Sequence, residues 1–102
     1  MQTEGKRQKY RRYLDVRVTF RSDGQMMPQE ILWDQTHRYS IARVLEVVPR
    51  PAYGAGGQGD CYTVQIELGE MVHERRLFFE RSAALSGREI GRWFVEADLE
   101  RR

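Results

Sequence analysis

One cysteine, three prolines and no run of apolar residues longer than three, as in Leu77-Phe78-Phe79, set the first limits on this 102-residue chain. A lone Cys61 cannot form an internal disulfide, which fits a reducing, cytoplasmic setting. Apolar runs this short exclude a membrane-spanning helix, and no apolar segment of a cleaved secretory signal follows the basic start, so no membrane partner is expected. Metal-ligand spacings are missing as well. His37, His73 and Cys61 stand apart, with no C-x-x-C or H-x-x-x-H pair, and nothing marks the thiol as an activated nucleophile. The glycine-rich stretch has no Gly-Lys-Ser/Thr after it, so a Walker phosphate loop is excluded. No catalytic residue, metal or cofactor is therefore expected.

A strong charge of either sign is also lacking overall, because 17 Lys and Arg stand against 15 Asp and Glu for a net +2. The charge is nevertheless unevenly placed. Residues 1–13 carry Lys6, Arg7, Lys9, Arg11 and Arg12 against Glu4 alone, which is +4 and leaves 12 cations and 14 carboxylates, or −2, for the rest. Basic character thus belongs to the leading segment and not to the body.

What is present is alternation. Residues 1–12 show no apolar period and read as a mobile basic arm. Then Leu14, Val16, Val18 and Phe20 fall on one side and Asp15, Arg17, Thr19 and Arg21 on the other, the period-two signature of a half-buried antiparallel strand. Asp23-Gly24 suits a tight hairpin turn, and Pro28 marks a strand start or edge. A short strand follows at Glu30–Trp33 and a third at Tyr39–Val48, whose apolar phase changes between Ile41 and Leu45 and calls for a bulge or bend. Residues 49–60 hold four of the nine glycines and two of the three prolines and read as a long irregular connection. Alternation resumes with Tyr62, Val64, Ile66 and Leu68 inward, Gly69-Glu70 turns, and Met71–Glu80 forms the next strand, with Phe78 opposite Leu77 and Phe79. The end is open to two readings. Ile90, Trp93, Phe94 and Ala97 have helical spacing and Ser86 with Glu89 imitates a capping box, yet Gly87, Gly91 and Trp93-Phe94-Val95 favour a last strand at Arg92–Glu96. The expected fold is all-β: a small SH3-like or OB-like antiparallel barrel of five or six strands over residues 13–97, with a disordered basic N-terminal arm at 1–12 and a tail at 98–102.

The run Val18-Thr19-Phe20, Asp23-Gly24, Pro28, Ile31-Leu32-Trp33-Asp34, Tyr39-Ser40-Ile41, Val44-Leu45, Tyr62-Thr63-Val64, Leu77-Phe78-Phe79-Glu80 and Trp93-Phe94-Val95-Glu96 resembles a family of small bacterial proteins known mainly from Firmicutes. The resemblance covers nearly everything except the basic arm. It implies a single-domain cytoplasmic protein with a strand at its end, and it carries no activity.

Three surfaces remain as candidates. Trp33, Tyr39, Phe78, Phe79, Trp93 and Phe94 exceed what one inward face easily absorbs. Phe78 and Phe94 look out of phase with their strands' buried sides, so these rings form either an exposed docking surface or a second small core. The glycine-rich loop offers Arg50, Tyr53 and Gln58 as contacts. The expected function is accordingly a cytoplasmic binding or adaptor module, not an enzyme, that holds a protein partner or another copy of itself through Trp33, Tyr53, Phe78, Trp93 and Phe94. The alternative is an accessory RNA- or DNA-binding barrel in which Lys6, Arg7, Lys9, Tyr10, Arg11 and Arg12 contact phosphates and unstacked bases. A weaker third reading places two of Asp34, Glu80 and Glu96 together at one rim, where repulsion would raise one carboxyl pKa for acid catalysis.

Overall fold

The structure is a computed structural model that describes residues 9–51, 58–83 and 89–98. The expected mobility of residues 1–8, with Lys6 and Arg7, falls outside these residues, as do Tyr53, the Ser86 cap and residues 99–102. Six strands run in chain order: β1 (Lys9–Phe20), β2 (Met26–Leu32), β3 (Arg38–Pro51), β4 (Gln58–Leu68), β5 (Met71–Ala83) and β6 (Glu89–Asp98). Each pairs antiparallel with the next, and β6 returns to β1, so the sheet is a closed barrel. No helix is found among the described residues, and none there is long and apolar enough to cross a membrane.

Alternation builds this barrel. Val64 and Leu77 are fully buried, and with Ile31, Tyr62, Ile66, Trp93 and Val95 they make the interior core, which Leu14, Val16, Val18 and Phe79 complete. Phe20 departs from the expected inward set and is 70 % exposed, because it is the last residue of β1 and stands beyond the core. Closure depends on β1 serving two partners. Its first half, Lys9–Leu14, pairs with Asp98–Trp93 of β6, and its second half, Asp15–Phe20, pairs with β2.

Turns and bends sit where the backbone chemistry places them. Gly24 supplies φ 91° at the β1–β2 turn, where its N–H donates to the Arg21 carbonyl at 2.8 Å and Asp23 Oδ1 accepts from Gln25 N–H at 3.0 Å. The phase change in β3 resolves into register shifts at Ile41/Arg43 and Val44/Glu46, as the sequence requires. Pro28 is buried in β2 beside the register shift on the β1 side, and β2 meets β3 only at Glu30–Leu32. Its missing N–H therefore costs no rung of the β2–β3 ladder.

Three expected boundaries are corrected. The arm does not extend to residue 12, because Lys9–Arg12 are strand residues held by β6. The irregular connection is also shorter than 49–60: Pro49 pairs with Asp60, Arg50 with Gly59 and Pro51 with Gln58. Prolines two apart share one edge of a strand, so both missing N–H groups can lie on the edge away from β4. The ending is strand, and longer than Arg92–Glu96.

Leu77→Ala is expected to lower unfolding stability by about 2–5 kcal/mol, the cost of lost burial plus a cavity. Phe20→Ala, outside the core, should stay within about 0.5 kcal/mol. Urea titrations of both variants check the contrast, and equal losses would contradict the assigned core.

Candidate functional site

Three of the expected docking rings, Phe78, Trp93 and Phe94, are buried and form no exposed surface. Phe78 is 4 % exposed, Phe94 2 % and Trp93 7 %. Trp93 belongs to the interior, where its ring lies 4.8 Å from Phe79 and 5.2 Å from Tyr62. Phe78 and Phe94 do face away from Leu77 and Val95, as their phase demands, but they form a second cluster with Cys61. The register explains it. Cys61 sits opposite Phe78, Phe78 opposite Phe94, and Phe94 opposite Tyr13, in one row across four strands. The two phenyl rings stack at 5.0 Å and 8°, and Tyr13 meets Phe94 edge-on at 5.3 Å. Guanidinium groups cover the row, with Arg50 5.2 Å from the Phe78 ring and Arg11 5.4 Å from the Phe94 ring. Arginine has the flat, weakly hydrated head and long stem that such a cover needs. Burial pushes the Cys61 thiol pKa up, which is the opposite of activation.

Beside this row lies a buried carboxylate. Glu80 Oε1 accepts from the Tyr13 hydroxyl at 2.9 Å and from Arg92 Nη2 at 3.4 Å, and Oε2 lies 3.6 Å from Arg11 Nη1. The group thus reaches from β5 across β6 to β1. In place of the second carboxylate that acid catalysis would need, Glu80 meets a phenol and two arginines. Asp34 stands elsewhere, in the turn between β2 and β3, and no cluster of possible metal ligands is found among the described residues. Arg12, assigned by the sequence to a basic arm, instead stacks 4.0 Å over the Trp33 ring and donates from Nη2 to the Trp33 carbonyl at 3.2 Å.

That contact leads to the barrel mouth. Trp33 and Tyr39 meet edge-on at 6.4 Å and line a cavity of about 210 Å³. Ile31, Ile66, Leu68 and Val95 supply its apolar wall, and His73 and Arg75 its polar groups. Of the rings singled out in the sequence, Trp33 and Tyr39 are placed here among the described residues, both half-buried. His73 and Arg75 were not singled out as a site, although their period-two phase with Leu77 turns both toward the barrel interior. Arg75 is exposed and has no carboxylate within ion-pair distance among the described residues. A second pocket, of about 280 Å³, shares Arg75 and Val95 with the cavity and adds the cations Lys9 and Arg76 and the carboxylates Glu74 and Glu96. It lies where β5 and β6 part company, because their pairing runs from Phe78↔Phe94 to Ala83↔Glu89 and not further toward Met71.

The turn that presents Trp33 is organised by Asp34. Its Oδ1 accepts from the backbone N–H groups of Thr36 and His37, each at 2.9 Å, while the Trp33 N–H donates to the His37 carbonyl at 2.9 Å. The Thr36 N–H, then the His37 side chain at 2.8 Å, hold the carboxyl pKa down at about 2 from 3.8. Comparison of the chain with family models, curated proteins and solved structures finds no match to any of them, so the bacterial-family resemblance rests on the sequence pattern alone.

A carboxyl with a depressed pKa supports the turn only while ionised. This contribution is complete above the ordinary value near 3.8 and is lost as pH falls toward about 2. Trp33 emission is therefore expected to shift between about pH 4 and pH 2, and Asp34→Asn to abolish that acid-range shift. An unchanged shift in Asp34→Asn would contradict this role of the carboxylate.

Proposed function

We propose that the chain is a small binding module that accepts an apolar side chain of a protein partner in the barrel-mouth cavity, with a neighbouring acidic group of that partner meeting Arg75. The observation that carries this reading is the company Arg75 keeps. A guanidinium with no ion-pair partner among the described residues stands at an apolar cavity lined by Trp33 and Tyr39. Binding sites are commonly concave and apolar with a few convergent polar groups, and barrel mouths are a usual place for them. The cavity of about 210 Å³ is smaller than a typical drug-sized site, which favours one inserted side chain over a whole cofactor. In this reading Trp33 keeps its place among the contact residues, while the buried Phe94 and Trp93 contribute stability.

A nucleic-acid role has less support. Arg11 and Arg12, two of the cations it depends on, are engaged with Glu80, Phe94 and Trp33. The acid-catalysis reading loses its premise with Glu80 between Tyr13, Arg11 and Arg92.

Panning a displayed library of extended peptides against the protein tests the proposal. Enriched sequences are expected to combine an apolar residue with Asp or Glu, and their affinity should fall about tenfold or more in Tyr39→Ala and in Arg75→Gln, the size of one lost charged contact. Enriched peptides that bind both variants as well as the wild type would overturn it.

A further inference from the structure

We infer that the partner binds as an added β-strand along the Met71–Leu77 edge of β5, carrying an apolar residue and an acidic residue two positions apart. This rests on the mouth as the binding site, and adds how the partner is held and which sequence it needs.

The edge is defined by the register. Met71–Leu77 pair with Leu68–Tyr62 of β4 on one side, and among the described residues they have no strand on the other. Every residue from Met71 to Arg76 is exposed, Met71 to 62 % and Val72 to 52 %. Val95–Asp98 of β6 meanwhile follow β1 through their pairing with Lys9–Arg12. The pocket of about 280 Å³ lies in the space this divergence leaves. Seven residues of unpaired edge span roughly 23 Å, and an extended peptide can fill it with backbone hydrogen bonds whatever its sequence.

Selection would come from the side chains. Successive residues of an added strand point to opposite faces, so those two apart share a face. His73 and Arg75 face inward, in phase with Leu77, and line the cavity with Trp33 and Tyr39. A peptide residue opposite this face enters the cavity, and its neighbour two positions on comes beside Arg75. An Asp or Glu there supplies the countercharge that no described residue brings within ion-pair distance of Arg75. A second copy of this chain is a poorer occupant. Two-fold antiparallel pairing centred on the middle of the edge, at Glu74 or Arg75, sets like charges directly opposite each other, which is unfavourable.

The test uses a capped heptapeptide of Thr with Leu at its third and Glu at its fifth position, titrated into isotope-labelled full-length protein. Shifts are expected along Met71–Leu77, with hydrogen-exchange protection appearing on alternate amides of that stretch. Two further versions of the peptide carry N-methyl groups on the odd or on the even amides. One version should bind about tenfold or more weakly, as expected for one or two lost hydrogen bonds, and the other unchanged. A Lys in place of the Glu should weaken binding to the wild type and restore it in Arg75→Glu. Equal affinity of both methylated peptides, with shifts confined to Trp33 and Tyr39, would overturn strand addition and leave the mouth site standing. No shifts at all, alongside display enrichment that still depends on Tyr39 and Arg75, would overturn this inference alone, and loss of both would remove the site beneath it. Protection of the same amides by self-association without peptide would overturn the foreign strand in favour of a second copy.

Discussion

The divided allegiance of β1 is the constraint from which the rest of the molecule follows. A strand that gave its whole length to β2 would leave the sheet open, with β6 bearing an uncovered edge. By turning from β2 to β6 between Asp15 and Leu14, β1 closes the barrel and shuts Trp93 and Val95 inside it. The closure is fastened from outside by Glu80, which holds Tyr13 and lies within reach of Arg11 and Arg92, so that β5, β6 and β1 share one carboxylate. A buried carboxylate is costly unless partnered, and here a phenol and two guanidiniums supply the partners. Because β6 follows β1 after Phe94, it leaves β5, and the mouth between them stays open.

Arginine explains why a basic leading segment need not mean a basic partner. Arg11 and Arg50 cover the phenyl rings, Arg12 covers Trp33, and Arg92 lies 4.2 Å from the Tyr13 ring. Each such contact is worth about 0.5–1 kcal/mol where exposed and more where water is excluded. These arginines therefore act partly as apolar material, roofing a row of rings that a sheet this small cannot fit inside. Gly91 shows the same economy of space within the barrel, for a Cβ there would come 2.5 Å from the Phe79 ring. That ring occupies the volume which any larger residue would claim, and it packs against Trp93.

Much of this was legible in the sequence, and the parts that were not share a cause. Leu14, Val16 and Val18, and again Tyr62, Val64 and Ile66, declare their strands because each has one wet and one dry face. The bulges in β3 announced themselves where Val44 and Leu45 broke the phase. Phase alone, however, does not say whether an outward face meets water. Phe78 and Phe94 point outward as read, and they are buried because arginines distant in sequence roof them. Lys9–Tyr13 mix cations and rings with no period of two and no apolar side, so nothing local marks them as a strand, and only their partners on β6 do. The candidate site failed to show for a similar reason. His73 and Arg75 look like ordinary surface residues until the topology brings Trp33 and Tyr39 to the same mouth. Trp33 was visible early as one of more rings than a single inward face absorbs, whereas the Asp34 turn that holds it emerges only from the hydrogen bonds to Thr36 and His37.

Amide hydrogen exchange across the β1–β6 seam is the most direct measure of whether this closure exists. The account predicts that hydrogen-bonded amides of Tyr10–Leu14 and of Trp93–Ala97 exchange only through openings nearly as costly as global unfolding, together with the central amides of β4. Exchange of the seam at the rate of an unstructured peptide, while β4 remains protected, would contradict a closed barrel and with it the mouth that closure creates.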